Sequence, residues 1–140
     1  ENICRDLMMR IDLITKSLDS IALRAPQVVL DYQKRFGEKV KELSGGTALD
    51  EIRLVQEIAI MAERSDITEE IVRIKSHILQ FQDLLEGDDA AGRNIDFLIQ
   101  EMNREINTIG SKSADAEISR KVIEIKAELA RIREQVQNIE

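Results

Sequence analysis

The chain has 140 residues, 43% of them hydrophobic, so it has the length of one domain and enough apolar side chains to bury a core; disorder does not fit. Aromatic residues make up 3%, there is one proline, and Ile, Leu, Glu, Lys and Arg dominate, which is an all-helical composition. The net charge of −7 argues against a broadly basic nucleic-acid surface while leaving room for a local basic path.

Residues 3–23 place Ile3, Leu7, Ile11, Ile14, Leu18 and Ile21 three or four apart, one apolar stripe on a long helix. Arg24-Ala25-Pro26 interrupts it, and a second helix is expected from Pro26, tolerated in a first turn, to Leu43. Its inward residues are Val29, Tyr32, Phe36, Val40 and Leu43, and Ser44-Gly45-Gly46 ends it. These two helices are expected to form a hairpin arm over residues 1–44, with a helical bundle over 49–140. In the bundle, a helix over 49–64 has an apolar face of Ile52, Val55, Ile58, Ala59, Met61 and Ala62, and Arg53 and Glu57 are spaced to pair. Ile60 falls on its polar face, as an isolated exposed residue or as the mark of a covered surface.

Asp66 and Glu69 have the spacing of a capping box, opening a helix to about Leu85 with Ile67, Ile71, Ile74, Ile78, Phe81 and Leu85 inward. Glu70 and His77, the only histidine, lie two turns apart on one edge of that core, with Arg73 between them. A carboxylate neighbour orients an imidazole and raises its basicity. After Glu86-Gly87-Asp88-Asp89 comes the segment Gly92–Ser113, read as one helix with a glycine stop at Gly110. At about 100° per residue, Ile95, Leu98, Ile99, Met102, Ile106 and Ile109 fill one sector. Asp96, Gln100, Asn103 and Asn107 form a stripe on one flank, Glu101 and Glu105 run along the other, and Arg93 and Arg104 lie near the outer face. Carboxamides stacked in this way either bridge to a neighbouring helix or serve a site. With Ser113 as N-cap, a final helix carries Ile118, Val122, Ile125, Leu129, Ile132, Val136 and Ile139 in a strict heptad, a seam internal to a bundle or between two chains. About six helices are expected in all, in an elongated all-α bundle.

A single cysteine, Cys4, forms no internal disulfide, which fits a reducing, cytoplasmic compartment and reads as a small core residue. No run of 18 apolar residues is present and no signal-peptide pattern is visible. The chain opens on Glu-Asn without an initiator Met, which fits a piece of something longer. There is no phosphate-binding glycine loop, no His-Glu-x-x-His, no zinc-spaced cysteine pair and no nucleophile elbow. Stacking on bases would fall to Phe36, Phe81 or Phe97.

The segments QEIAIMAERSDITEEIVRIKSH at 56–77, GRNIDFLIQEMNREINTIGSKSADAEIS at 92–119 and REQVQNIE at 133–140 resemble the C-terminal region of the YicC/YloC family, bacterial endoribonucleases once called stress-induced proteins. The resemblance covers nearly all of the chain. It implies the C-terminal half of a protein about twice as long that cuts RNA with a divalent ion, manganese first and magnesium second, and forms homo-oligomers around RNA. No small-molecule cofactor and no membrane are implied. Cutting a phosphodiester needs an activated water or 2′-hydroxyl and neutralised charge at phosphorus, which carboxylates holding a hard ion supply. By residue type and helical position, Glu70, His77, Glu101 and Glu105 are the expected catalytic and metal-binding residues, with Glu57 a fifth candidate. Arg73, Arg93, Arg104 and Lys112 are the expected RNA-binding cations. The competing reading is a non-catalytic helical interaction module, held together by the heptad seam and the first hairpin.

Overall fold

The computed structural model describes residues 2–45, 48–87 and 92–139, leaving aside the side chains at 44, 48–50, 92–93 and 139. Among the described residues the chain is all helical: α1 (Asn2–Ser44), α2 (Ala48–Arg64), α3 (Thr68–Glu86), α4 (Gly92–Lys112) and α5 (Ala116–Ile139). Five helices form where about six were expected, because Pro26 does not end α1. Its 43 residues run straight through the proline. An internal proline forfeits one backbone hydrogen bond and crowds the carbonyl four residues earlier, at a cost of about 3 kcal/mol. Packing on both sides of Pro26 outweighs that cost, so the hairpin expected within residues 1–44 does not form.

The N-terminal half of α1 joins α3, α4 and α5 in a four-helix body in which α1 packs on α5, α5 on α4, α4 on α3 and α3 back on α1. The stripe Leu7, Ile11, Ile14, Leu18 and Ile21 is buried there, whereas Ile3 is exposed and so is Cys4. The heptad of α5 is buried from Ile118 through Val136, with Ile139 outside the described side chains. Since α5 packs on α1 and α4, the seam is internal to the chain. Polar links fix an antiparallel register: Arg10 Nη1 pairs with Glu128 Oε2 at 3.0 Å, and Arg24 grips Asp115 through Nε at 3.2 Å and Nη2 at 3.0 Å.

The C-terminal half of α1 leaves this body and packs against α2. Tyr32 and Phe36 stack on each other, with ring centroids 5.4 Å apart. Gly45 ends α1 at φ +69°, a left-handed conformation that a side chain would strain. Two other sequence expectations change at the far end. Helix α4 continues past Gly110 to Lys112, so that glycine is not a stop; a Cβ there would lie 3.4 Å from Val122 Cγ1, at ordinary contact distance. The N-cap of α5 is Asp115, whose Oδ2 accepts from the Ile118 amide at 3.1 Å, while Ser113 Oγ accepts from the Asp115 amide at 3.3 Å.

Candidate active site

Helix α3 begins where Asp66 Oδ1 accepts from the Thr68 amide at 3.0 Å and from the Thr68 hydroxyl. Glu69 does not close the expected capping box, since the Asp66 amide donates instead to the Glu63 carbonyl at 3.3 Å. That start points the first turn of α3 at the last turn of α4. Glu70 is thereby 3% exposed, and its Oε2 accepts from Lys112 Nζ at 2.8 Å. Lys112 also donates to the Asp66 carbonyl at 3.2 Å. One turn along, Arg73 Nε donates to Glu105 Oε1 at 2.9 Å, while its other nitrogens lie 3.5 Å from Glu69 and 3.8 Å from Glu70 Oε2. Glu105 is 9% exposed.

The electrostatics follow from this geometry. Burial pushes the Glu70 carboxyl up, but the Lys112 hydrogen bond and the charges of Lys112 and Arg73 outweigh it, so the net shift is downward. The hydrogen bond to Glu105 raises Arg73 above its ordinary value. Glu70 is therefore a buried carboxylate that stays ionised. Its second oxygen, Oε1, is buried without a hydrogen-bond partner, and so is His77 Nδ1.

The pairs Glu70–Lys112 and Arg73–Glu105 run in opposite senses along α3 and α4, so the helices are antiparallel, and that register extended by one turn puts His77 of α3 opposite Glu101 of α4. Both are half-buried. The predicted residues thus line one seam at two levels along it: one of Glu70, Arg73, Glu105 and Lys112, with buried carboxylates and exposed cations, and one of His77 and Glu101, both half-buried. They do not form one ligand cluster. Glu70 and His77 lie two helical turns, about 10.5 Å, apart along the axis of α3. Among the described residues no three His, Cys, Asp or Glu are grouped to hold a metal. The four residues as folded do not fit a single ion.

The cations expected on RNA differ in their surroundings. Arg73 and Lys112 are tied to carboxylates rather than free, and Arg104 keeps only a 3.9 Å contact with Glu101. The side chain of Arg93 lies outside the described residues. Glu57 is exposed on α2 beside Phe36 and Arg53, away from the seam, and makes no ion pair with Arg53. Sequence reasoning gave Glu69 only a capping role and missed its contact with Arg73, although the spacing of four was a usable signal.

Comparison with known proteins adds what geometry alone does not. The family described as "Endoribonuclease YicC-like, C-terminal" matches residues 21–140. A "Probable endoribonuclease YicC" from Clostridioides difficile (strain 630) is 50% identical over 141 residues, covering 100% of this chain and 48% of the relative. One of the same name from Haemophilus influenzae (strain ATCC 51907 / DSM 11121 / KW20 / Rd) is 37% identical over 136 residues, covering 92% of this chain and 47% of the relative. The chain spans about half the length of these curated relatives. With the family match running from α1 through α5, the chain belongs to the YicC-like endoribonuclease family, in its C-terminal region.

Proposed function

We infer that this chain is the C-terminal part of an endoribonuclease and that the α3–α4 seam handles the phosphate at the cut. The observation that carries this reading is Glu70, an ionised carboxylate buried against two cations in a chain whose relatives are named probable endoribonucleases. Burying such a network is costly and is weak evidence for stability. Holding two cations in fixed positions is, by contrast, what charge development at phosphorus requires.

In this reading the two levels divide the work. Lys112 and Arg73 are partly open to solvent and present their outer sides to phosphate oxygens. Glu70 and Glu105 are too enclosed to reach a substrate and act as positioning residues for those cations. At the second level Glu101 takes the proton from the attacking hydroxyl or water as the new bond to phosphorus forms, and protonated His77 gives a proton to the leaving oxygen as its bond to phosphorus breaks. Arg104 adds a phosphate contact on the outer face of α4. The resemblance extends the proposal to a divalent cofactor for the whole protein, manganese or magnesium, and to a cytoplasmic homo-oligomer; because the seam does not gather the ligands of one ion, no catalytic step is routed through it here.

The test is incubation of the full-length protein with labelled RNA, with and without manganese and a chelator. We expect cleavage that the chelator stops, and a fall of about 100-fold or more for His77→Ala with Glu101→Gln, given that general acid–base groups contribute on that scale. Normal cutting by that double variant would remove the seam from the mechanism.

One observation favours the second reading, a helical interaction module. The α1–α2 arm leaves Leu30, Leu43, Ile52 and Val55 exposed on an otherwise charged surface. A module of that kind would show melting that depends on protein concentration and not on manganese.

A further inference from the structure

The carboxamides of the stripe singled out in the sequence do not bridge α4 to its neighbours; only its carboxylate, Asp96, does. Gln100 Nε2 donates to Asp96 Oδ2 at 3.1 Å within its own helix, and Arg133 of α5 reaches Asp96 at 3.4 Å. The side chains of Asn103 and Asn107 are exposed and make no hydrogen bond among the described residues. Across a groove of about 390 Å³ between α4 and α5 lies Lys126, exposed and without an ion pair among the described residues. On the outer face of α4, Phe97 is 59% exposed, while Phe81 is fully buried and Phe36 stacks on Tyr32. Arg104, two turns on from Phe97 along the same outer face, is 76% exposed. Unlike the cations of the seam, Arg104 and Lys126 are not held by buried carboxylates.

These groups share one chemistry. A carboxamide offers a donor and an acceptor side by side, which matches the edge of an unpaired base. An exposed phenyl ring offers a stacking face, and every base has one. Arg and Lys beside them neutralise phosphates. A duplex would not use this set, because its bases are stacked on each other and its edges face narrow grooves. On the reading that the chain belongs to an RNA-cutting protein, we propose that the outer face of α4 and its groove with α5 form a binding site for an unpaired, single-stranded segment of RNA, with Phe97 stacking on a base, Asn103 and Asn107 meeting base edges, and Arg104 and Lys126 on the backbone. This face lies around α4 from the Glu101–Glu105 flank, so a strand held here runs beside the seam.

The experiment measures binding of a fluorescein-labelled single-stranded RNA and of a blunt duplex of equal length to the full-length protein, alongside cleavage. Phe97→Ala is expected to weaken single-strand binding about tenfold, to leave duplex binding unchanged, and to be rescued by Phe97→Tyr. Lys126→Gln should reduce the slope of log affinity against log salt by about 0.7 for the single strand. Because Phe97 is exposed, its replacement leaves the melting temperature in place. Single-strand binding unchanged in Phe97→Ala, or equal losses on strand and duplex, would overturn the site, and cleavage at the normal rate in that variant would leave the assignment of the seam standing. A protein that binds the single strand as described but does not cut would keep the site and remove the proposed activity.

Discussion

The four-helix body and the α1–α2 arm carry the same kind of hydrophobic periodicity and end up packed very differently. Every fully buried apolar residue belongs to the body: the described core steps from Ile21 directly to Ile67 with nothing buried between. In the body each helix meets two neighbours, so a stripe of apolar residues is covered from both sides. In the arm α2 packs chiefly on α1, and one flank of its stripe stays in water, with Val55 67% exposed and Ile52 beside it. A stripe at helical spacing therefore says which way a helix faces and not whether anything covers it.

That contrast orders the expected effects of substitution. The largest belongs to Leu129, 2% exposed in the α5 seam. Leu129→Asp buries an unpaired charge and should cost about 4 kcal/mol or more, a large share of the roughly 5–15 kcal/mol of an ordinary domain, read as a lowered midpoint in a denaturant titration. Val55→Asp on the arm should stay within about 0.5 kcal/mol of wild type. Equal losses at both positions would show that the arm face is covered.

An intermediate effect belongs to the junction where α1 leaves the body. Asp115 caps α5 and is gripped by Arg24, two residues before Pro26. Asp115→Ala should cost about 1–2 kcal/mol. The hydrogen bond from Arg24 lowers the Asp115 pKa below its ordinary value, ahead of an opposing effect of burial and a further lowering by the Ile118 amide. A carboxyl lowered on folding contributes stability that is complete above its unfolded pKa of about 3.9 and is lost as pH falls through the folded value. Thermal melts should therefore show acid destabilisation below about pH 4, part of it missing in Asp115→Asn, which keeps a good cap while removing the charge. The smallest effect is expected at Glu57, exposed on α2 without an Arg53 pair: Glu57→Gln should alter neither melting temperature nor cleavage.

Much of the body was readable in the sequence because its signals are local. The α5 heptad, the stripe from Ile67 to Phe81 and the breaks at Gly45 and Asp66 each follow from a few consecutive residues. Pro26 and Gly110 misled for one shared reason: each is a helix breaker by local propensity that tertiary packing overrides. Pro26 sits between Ala25 and Val28, which both pack against the core, and Gly110 faces Val122 of α5. At the seam, the residue types and the shared edge were readable, but the pairing was not. Lys112 meets Glu70 across 42 positions and Arg73 meets Glu105 across 32, and only the register of two packed helices decides that the cations occupy the carboxylates. The same register separates the four residues into two levels rather than one ligand set.

The most direct measurement of the central claim is the RNA cleavage rate of full-length Glu105→Gln, taken with its melting temperature. The substitution keeps the size of the side chain and removes the charge that holds Arg73. If the seam positions cations at the cut phosphate, the rate should fall about 100-fold, the scale on which an ångström of misplacement acts, while the protein stays folded and still binds RNA. A folded Glu105→Gln protein that cuts at the wild-type rate would contradict the account and leave the ion-pair network a structural feature of the bundle.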